Sequence, residues 1–427
     1  MILKKALNFC CLLLTVSIFG QDIYLQCGKL VDTKNGKIRN EVTVIVSGDK
    51  ITKIENGYLS GTEQDQLVDL KDKTVLPGLI DMHVHIEGQS SPDRYLKRFT
   101  DNEADVALQS TVYAERTLMA GFTTVRDLGG SGVNIALRKA INKGIVKGPR
   151  IFTSGKSIAT TGGHGDPTNG YKMENMGDPG PKDGVVNSPE DGRKAVRQRY
   201  KEGADVIKIT ATGGVLSVAK SGSNPQFTIE EIKAITETAN DYGMLTAAHA
   251  HGDLGMQRAI KGGIKTIEHG SYMSEETMDL MKQYKVYMVP TITAGKKVVE
   301  KAKIPGYFPE VVAKKAIEVG AQIHQTFAIA YKKGVPIGFG TDAGVFPHGE
   351  NALEFQYMVE AGMPAAEAIK AATVTNATLL GMGDSLGQIE EGFIADIIAV
   401  ENDPTKEVET LQNVVFVMKE GKVYKQP

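Results

Sequence analysis

The chain has 427 residues, 41% of them hydrophobic and 23% charged, an ordinary globular composition with material for a large core. Its 49 lysines and arginines nearly balance 51 aspartates and glutamates, for a formal net charge of −2. That gives no electrostatic reason to expect nucleic acid or an anionic membrane as partner. Three cysteines are too few for a disulfide framework.

The N-terminus opens with Lys4-Lys5 and an apolar run, Ala6 to Phe19, interrupted only by Asn8, Thr15 and Ser17. This has the form of a secretory signal peptide, residues 1–20, and the run is short for a transmembrane span. Cleavage after Gly20 would remove Cys10 and Cys11 and leave Cys27 alone, so no intrachain disulfide is expected. A retained N-terminal anchor is the alternative. The expected protein is exported, periplasmic or secreted, with no stable membrane insertion once the leader is gone.

Short β-like runs follow, Ile23 to Cys27, Val42 to Val46 and Ile51 to Ile54, with turn signals at Asn35-Gly36 and Ser47-Gly48-Asp49. The C-terminal end repeats the texture at Ala395 to Val400, Val414 to Met418 and Val423-Tyr424. Residues 21–75 and 388–427 are therefore predicted to form one composite β-sandwich. Between them, over 76–387, strands alternate with helical patterns. An apolar strand from Val75 to Ile86 leads, followed by runs at Gly121 to Asp127, Arg150 to Thr153, Asp205 to Ile209, Leu245 to His249, Lys265 to His269, Val286 to Pro290 and Val335 to Gly340. The helix Thr228 to Tyr242 opens with a capping signal, Thr228 followed by Glu230 and Glu231. Eight such units predict an α/β fold, a (β/α)₈ TIM barrel with the small β-sandwich built from both chain ends. A doubly wound sheet is the competitor. One connection, Gly155 to Pro189, is long and rich in Gly, Pro and Asn, and is expected to wall or cover the barrel mouth.

Polar residues with metal chemistry gather at the ends of these runs. His83 and His85 alternate on one strand face and make a half-site for zinc or a similar cation. Lys208, flanked by Ile207 and Ile209, either points outward as a solvated charge or is a buried neutral amine. Such an amine can add CO₂ to give a carbamate able to bridge two metals. His249, His251, His269 and Asp342 follow at later strand ends, where a closed barrel would bring them to one mouth. Either His249 or His251 could be a ligand. Arg126 could hold a carboxylate or pair with a barrel acid. His164, in the long connection, is a further pocket candidate, whereas His324 reads as surface or packing and His348 as a weak candidate.

The Leu76-Pro77-Gly78-Leu79-Ile80-Asp81 lead-in, the Thr160-Thr161-Gly162-Gly163-His164 loop, Lys208-Ile209-Thr210-Ala211-Thr212-Gly213-Gly214 and the closing Gly387-Gln388-Ile389-Glu390-Glu391-Gly392 segment occur in a telling order. In that order the chain resembles the metal-dependent amidohydrolase superfamily. Within it, the chain resembles the branch of Xaa-Pro dipeptidases, carboxypeptidase-like enzymes and ochratoxin-hydrolysing amidohydrolases. The resemblance implies two divalent metal ions, zinc foremost. It places His83 and His85 on the more buried one, His249 and His269 on the second, and a CO₂-derived carboxylated Lys208 between them. Asp342 would bind metal and move the catalytic proton. His251 stands where some relatives have a tyrosine associated with the substrate carboxylate. A homo-oligomer, in some relatives an octamer, is also implied.

The expected reaction is hydrolysis of an amide in N-acyl amino acids or dipeptides, releasing a C-terminal amino acid. His164, His251 and Arg126 are expected to serve substrate binding, and Leu216, Val218 and Phe227 to line an apolar pocket. Imidazolonepropionase- or deaminase-like, lactonase or phosphotriesterase activity, and a metal-free binding scaffold are the alternatives. A deaminase would typically carry a glutamate three residues after the fifth-strand histidine. Here Gly252 and Asp253 follow instead.

Overall fold

The computed structural model describes residues 21–427; the expected leader, residues 1–20, lies outside the described residues. The strands are β1 (Ile23–Asp32), β2 (Lys37–Ser47), β3 (Lys50–Asn56), β4 (Gln66–Pro77), β5 (Leu79–Val84), β6 (Phe122–Asp127) and β7 (Arg150–Thr153). They continue as β8 (Val206–Thr210), β9 (Leu245–Ala250), β10 (Thr266–His269), β11 (Tyr287–Val289), β12 (Ile397–Val400), β13 (Val414–Lys419) and β14 (Lys422–Lys425). The chain ends do join: β14, β13, β12, β4, β1, β2 and β3 form one seven-stranded sheet in that order. Leu25, Cys27, Val44, Val68, Ile397 and Phe416 lie on its packed face in a core of their own. Alternation within each strand puts these residues on one side.

The expected single strand Val75 to Ile86 is two strands with a break at Gly78. Up to Pro77 the chain pairs with β12; from Leu79 it pairs with β6. A Cβ at Gly78 would lie 2.2 Å from Oγ1 of Thr123, so only glycine lets the chain turn from one sheet into the other against that neighbour.

β5, β6 and β7 are parallel neighbours, as are β8, β9, β10 and β11. Helices separate consecutive strands, among them Glu103–Met119, Val133–Asn142, Pro189–Glu202, Ile229–Asp241, Asp253–Lys261 and Glu275–Tyr284. The Ile229–Asp241 helix has the expected cap, with Thr228 Oγ1 accepting from Glu231 N and a Glu231 carboxylate oxygen accepting from Thr228 N.

Backbone bonds complete the circle. Ile158 N donates to Lys208 O at 2.8 Å and Thr210 N to Ile158 O at 3.0 Å, which ties the β7 side to β8. The eighth segment, 335–343, closes the other gap. Met288 N donates to Pro336 O and Gly338 N to Met288 O, both at 2.9 Å; Met82 N donates to Phe339 O at 3.0 Å and Asp342 N to His83 O at 2.7 Å.

That segment was expected to be a strand, yet it forms only isolated bridges. Pro336 has no N–H to give. The Asn376 side chain, from a helix outside, does part of the pairing: its amide nitrogen donates to Ile80 O and Phe339 O, each at 2.8 Å, and its oxygen accepts from Phe339 N. Among the described residues no helix is long and apolar enough to cross a membrane.

Candidate metal centre and active-site cavity

A cavity of about 760 Å³ opens at the C-terminal ends of the barrel strands. His83, His85, Lys208, His164, His249, His251, His269 and Asp342 all line it. His83 sits near the end of β5 and His85 just beyond, with ring centroids 5.4 Å apart. Lys208 does not point outward: Ile207 and Ile209 face the barrel core cluster while Lys208, on the alternate face, is 3% exposed. The rings of His249 and His251 are 4.6 Å apart, and those of His249 and His269 4.7 Å. Nitrogens of His249, His251 and His269 lie within 4.8 Å of one another, as do ligand atoms of His83, His269 and Asp342.

Each histidine of this group has one nitrogen tied outward and the other left for the centre. His83 Nδ1 is 2.8 Å from a Glu268 carboxylate oxygen, and His85 Nδ1 is 2.8 Å from Gly129 O. His269 Nδ1 meets Thr291 Oγ1 at 2.7 Å and His251 Nδ1 meets Ser271 Oγ at 2.7 Å, whereas His249 is held through Nε2, 3.0 Å from Gly213 O. Outer hydrogen bonds of this kind fix ring orientation at metal sites. Burial pushes His83, His249 and His269 well below the usual imidazole range, and His85 to about 4, so the rings are neutral near pH 7. A neutral ring is the form that binds metal.

Asp342 adds an anion. Its Oδ1 is buried with no hydrogen-bond donor among the described residues, 3.5 Å from His83 Nε2 and 3.4 Å from His85 Nε2. An orphaned carboxylate oxygen facing two unprotonated imidazole nitrogens is unfavourable by itself and becomes satisfied when a cation lies among them. The donor set therefore fits a divalent ion of the zinc type. Burial raises the Asp342 carboxyl, with the Lys208 charge pulling it back; burial likewise lowers the Lys208 ammonium. Backbone strain concentrates here: His269, Thr291 and Asp342 have φ of 74°, 53° and 60°, a region that L-residues rarely occupy.

Three sequence expectations need correction. Arg126 is absent from the cavity lining. Its guanidinium is fully buried, donating to Met82 O, Thr266 Oγ1 and, at 2.8 Å, Glu268. The acid that holds it is Glu268, one residue before His269, whose other oxygen orients His83. Phe227 also lies outside the cavity, 2% exposed in the barrel core, whereas Leu216 and Val218 do line it. His348 packs away from the cavity, stacked on Tyr113 at 5.0 Å with Nε2 2.9 Å from Gly88 O. His324 Nε2 meets Tyr357 O at 3.2 Å in helix packing, as expected.

The long connection does reach the cavity, through residues 164–167 and 169–171. His164 stacks on His249 at 4.3 Å and keeps Nδ1 buried without a hydrogen-bond partner among the described residues. Asp253 is engaged at the start of its helix, accepting from Ser274 N and Gln257. Sequence reading missed Glu268 and Asp81. Asp81 Oδ1 accepts from His83 N and Thr341 N, bracing the two metal-facing segments. An acid inside a buried apolar strand was the available signal for Glu268 and Asp81.

A family model for the amidohydrolase family matches residues 74–424. The chain belongs to the amidohydrolase family. It is 35% identical over 435 residues to an ochratoxinase of Aspergillus niger, covering 94% of this chain and 86% of that one. Among solved structures it is similar to a Xaa-Pro dipeptidase with methionine bound in its active site. The TM-score is 0.92 and the identity 51%, over 95% of this chain and 100% of that one. A prolidase complexed with N-methylphosphonate-L-proline superposes with a TM-score of 0.87 at 29% identity, with the same coverage. As an amidohydrolase the chain is a hydrolase of a generally metal-dependent family, with histidine clusters able to bind metal.

Proposed function

We propose that the enzyme hydrolyses the amide bond of N-acyl amino acids or dipeptides and releases the C-terminal amino acid. The observation that carries this reading is the buried cluster of neutral imidazoles around the orphaned Asp342 Oδ1, on the floor of a cavity of about 760 Å³. The relatives support the substrate class, since one is an ochratoxinase, one a Xaa-Pro dipeptidase and one a prolidase.

In this reading His83, His85, His249, His269, Asp342 and a carboxylated Lys208 would hold two divalent ions, zinc foremost. Such ions lower the pKa of water and polarise an amide carbonyl. The side chains supply the remainder. The neutral Lys208 amine adds CO₂ with loss of one proton, and the resulting carbamate is an anion stable only beside cations. Asp342 takes a proton from the attacking water and delivers it to the leaving nitrogen, which could not depart as an amide anion. His251 and His164 offer ring nitrogens to the substrate beside the reacting bond. Leu216 and Val218 favour an apolar residue there.

The test is a screen of N-acyl amino acids and dipeptides with the zinc-loaded protein, varying the residue on each side of the scissile bond. Release of the C-terminal amino acid from a subset is expected. Turnover confined to lactones or phosphotriesters sinks the proposal. Lys208→Ala is expected to lose activity and regain part of it with added short carboxylic acids; an unrescued loss removes the carbamate from the scheme.

A further inference from the structure

The cations around the cavity are almost all committed. Arg126 is held by Glu268 inside the barrel. Lys315, from the helix Glu310–Gly320, donates from Nζ to the carbonyls of Gly214, Ser217 and Ala219 at 2.8, 2.6 and 2.7 Å. Lys97 pairs with Asp93 at 3.4 Å. Arg98 donates to Pro167 O at 3.2 Å and lies over the Tyr171 ring at 5.3 Å. Lys208 is on the floor, among the histidines.

Arg94 differs from Arg126, Lys315, Lys97 and Arg98, and unlike Lys208 it stands on the wall and not on the histidine-lined floor. It begins the helix Arg94–Thr100, lines the cavity and is half-buried. Among the described residues its guanidinium has neither an ion pair nor a hydrogen-bond acceptor; the Tyr95 ring, 5.6 Å away, is its aromatic neighbour. It shares the cavity with His85, His164 and Asp342, so it faces the same enclosed space as the floor.

A guanidinium stays charged in any protein setting and presents five N–H donors in a planar fork that matches a carboxylate. Partly stripped of water and given no protein acceptor, it favours an anionic ligand in the cavity. An N-acyl amino acid whose amide lies over Asp342 carries its carboxylate on the leaving side, the one anionic group such a substrate must have. We propose that Arg94 anchors the carboxylate of the leaving amino acid and so determines specificity for substrates with a free C-terminus. This takes the role expected of Arg126, and it rests on the reading of the site as one that releases a C-terminal amino acid.

The experiment measures kcat/KM of the zinc-loaded full chain for an N-acyl-phenylalanine and for its C-terminal amide, in wild type, Arg94→Met and Arg94→Lys. Wild type favours the acid. In Arg94→Met the acid-to-amide ratio falls by about 10²-fold, chiefly through KM for the acid, because a charge-assisted two-point contact is lost. Arg94→Lys falls between, keeping the charge and losing the fork. If wild type prefers the acid and Arg94→Met prefers it equally, Arg94 is not the anchor, while the substrate reading stands. If acid and amide decline together, Arg94 acts on Asp342 or on the fold, and the anchor is overturned. Should wild type turn over neither compound or show no preference, the substrate reading fails by itself. Binding of free L-methionine, followed by calorimetry, then decides Arg94 separately. A weakening of about 10²-fold in Arg94→Met supports the anchor, and equal affinity, or no binding to wild type, overturns it.

Discussion

Asp342 is held at φ 60° with one carboxylate oxygen buried beside two imidazoles and without a donor among the described residues, an arrangement costly to keep unless it has work to do. Asp342→Asn keeps the shape and one oxygen but cannot accept a proton near neutral pH. It is expected to lose roughly 10²–10⁴-fold in kcat with its circular dichroism and most of its bound metal retained. Retention of more than about a tenth of wild-type rate would remove Asp342 from proton transfer. Glu268 is a different kind of residue, since its two oxygens serve Arg126 and His83 and it lies outside the cavity lining. Glu268→Gln leaves a buried guanidinium without its counter-charge, a loss of about 3–5 kcal/mol in such cases. It also loosens the partner of His83, which should weaken metal binding by about 10–100-fold. Unchanged metal affinity in a folded Glu268→Gln protein would show that His83 is oriented by packing alone.

At the scale of elements, the loop after β8 carries Val215, Leu216 and Val218 into the cavity, and its shape depends on a residue far along the chain. Lys315 is 5% exposed and has three loop carbonyls as its acceptors. Lys315→Met would leave those carbonyls without their donor, at about 1–3 kcal/mol. We expect a lower Tm, faster proteolysis within 214–222 and a raised KM, with metal content unchanged. Proteolysis and KM both at wild-type values would mean that the loop holds itself.

For the whole molecule, the seven-stranded sheet draws on both ends of the chain, so it can form only when the barrel between them brings those ends together. Cys27 reports on that assembly. It lies on the packed face of the sheet, is 0% exposed, and burial pushes its thiol up to about 12. In a chain beginning at Gln21 it is the single cysteine. Because the thiolate is the reactive form, a folded protein is expected to resist thiol reagents in mildly alkaline buffer and to react only as the sheet opens. Rapid labelling of native protein, before any loss of circular dichroism, would contradict this packing.

Much of the centre was legible in the sequence because strands reveal themselves by period-two burial. A histidine, lysine or aspartate that ends an apolar run stands out, as His83, His85, Lys208, His249, His269 and Asp342 did. The same periodicity anticipated strands at both chain ends and parallel units between them. It says which face of a strand is buried, however, and nothing of what lies opposite. Only the tertiary structure pairs Arg126 with Glu268, 142 residues away, and so takes it from the cavity. The same holds where Asn376 replaces part of a strand ladder, because a side-chain amide can satisfy the carbonyls that a proline-containing segment leaves open. Arg94 lay in an aperiodic stretch of charged residues and carried no local signal. What marks it, a guanidinium on the cavity wall with no acceptor among the described residues, depends on where the other charges have gone.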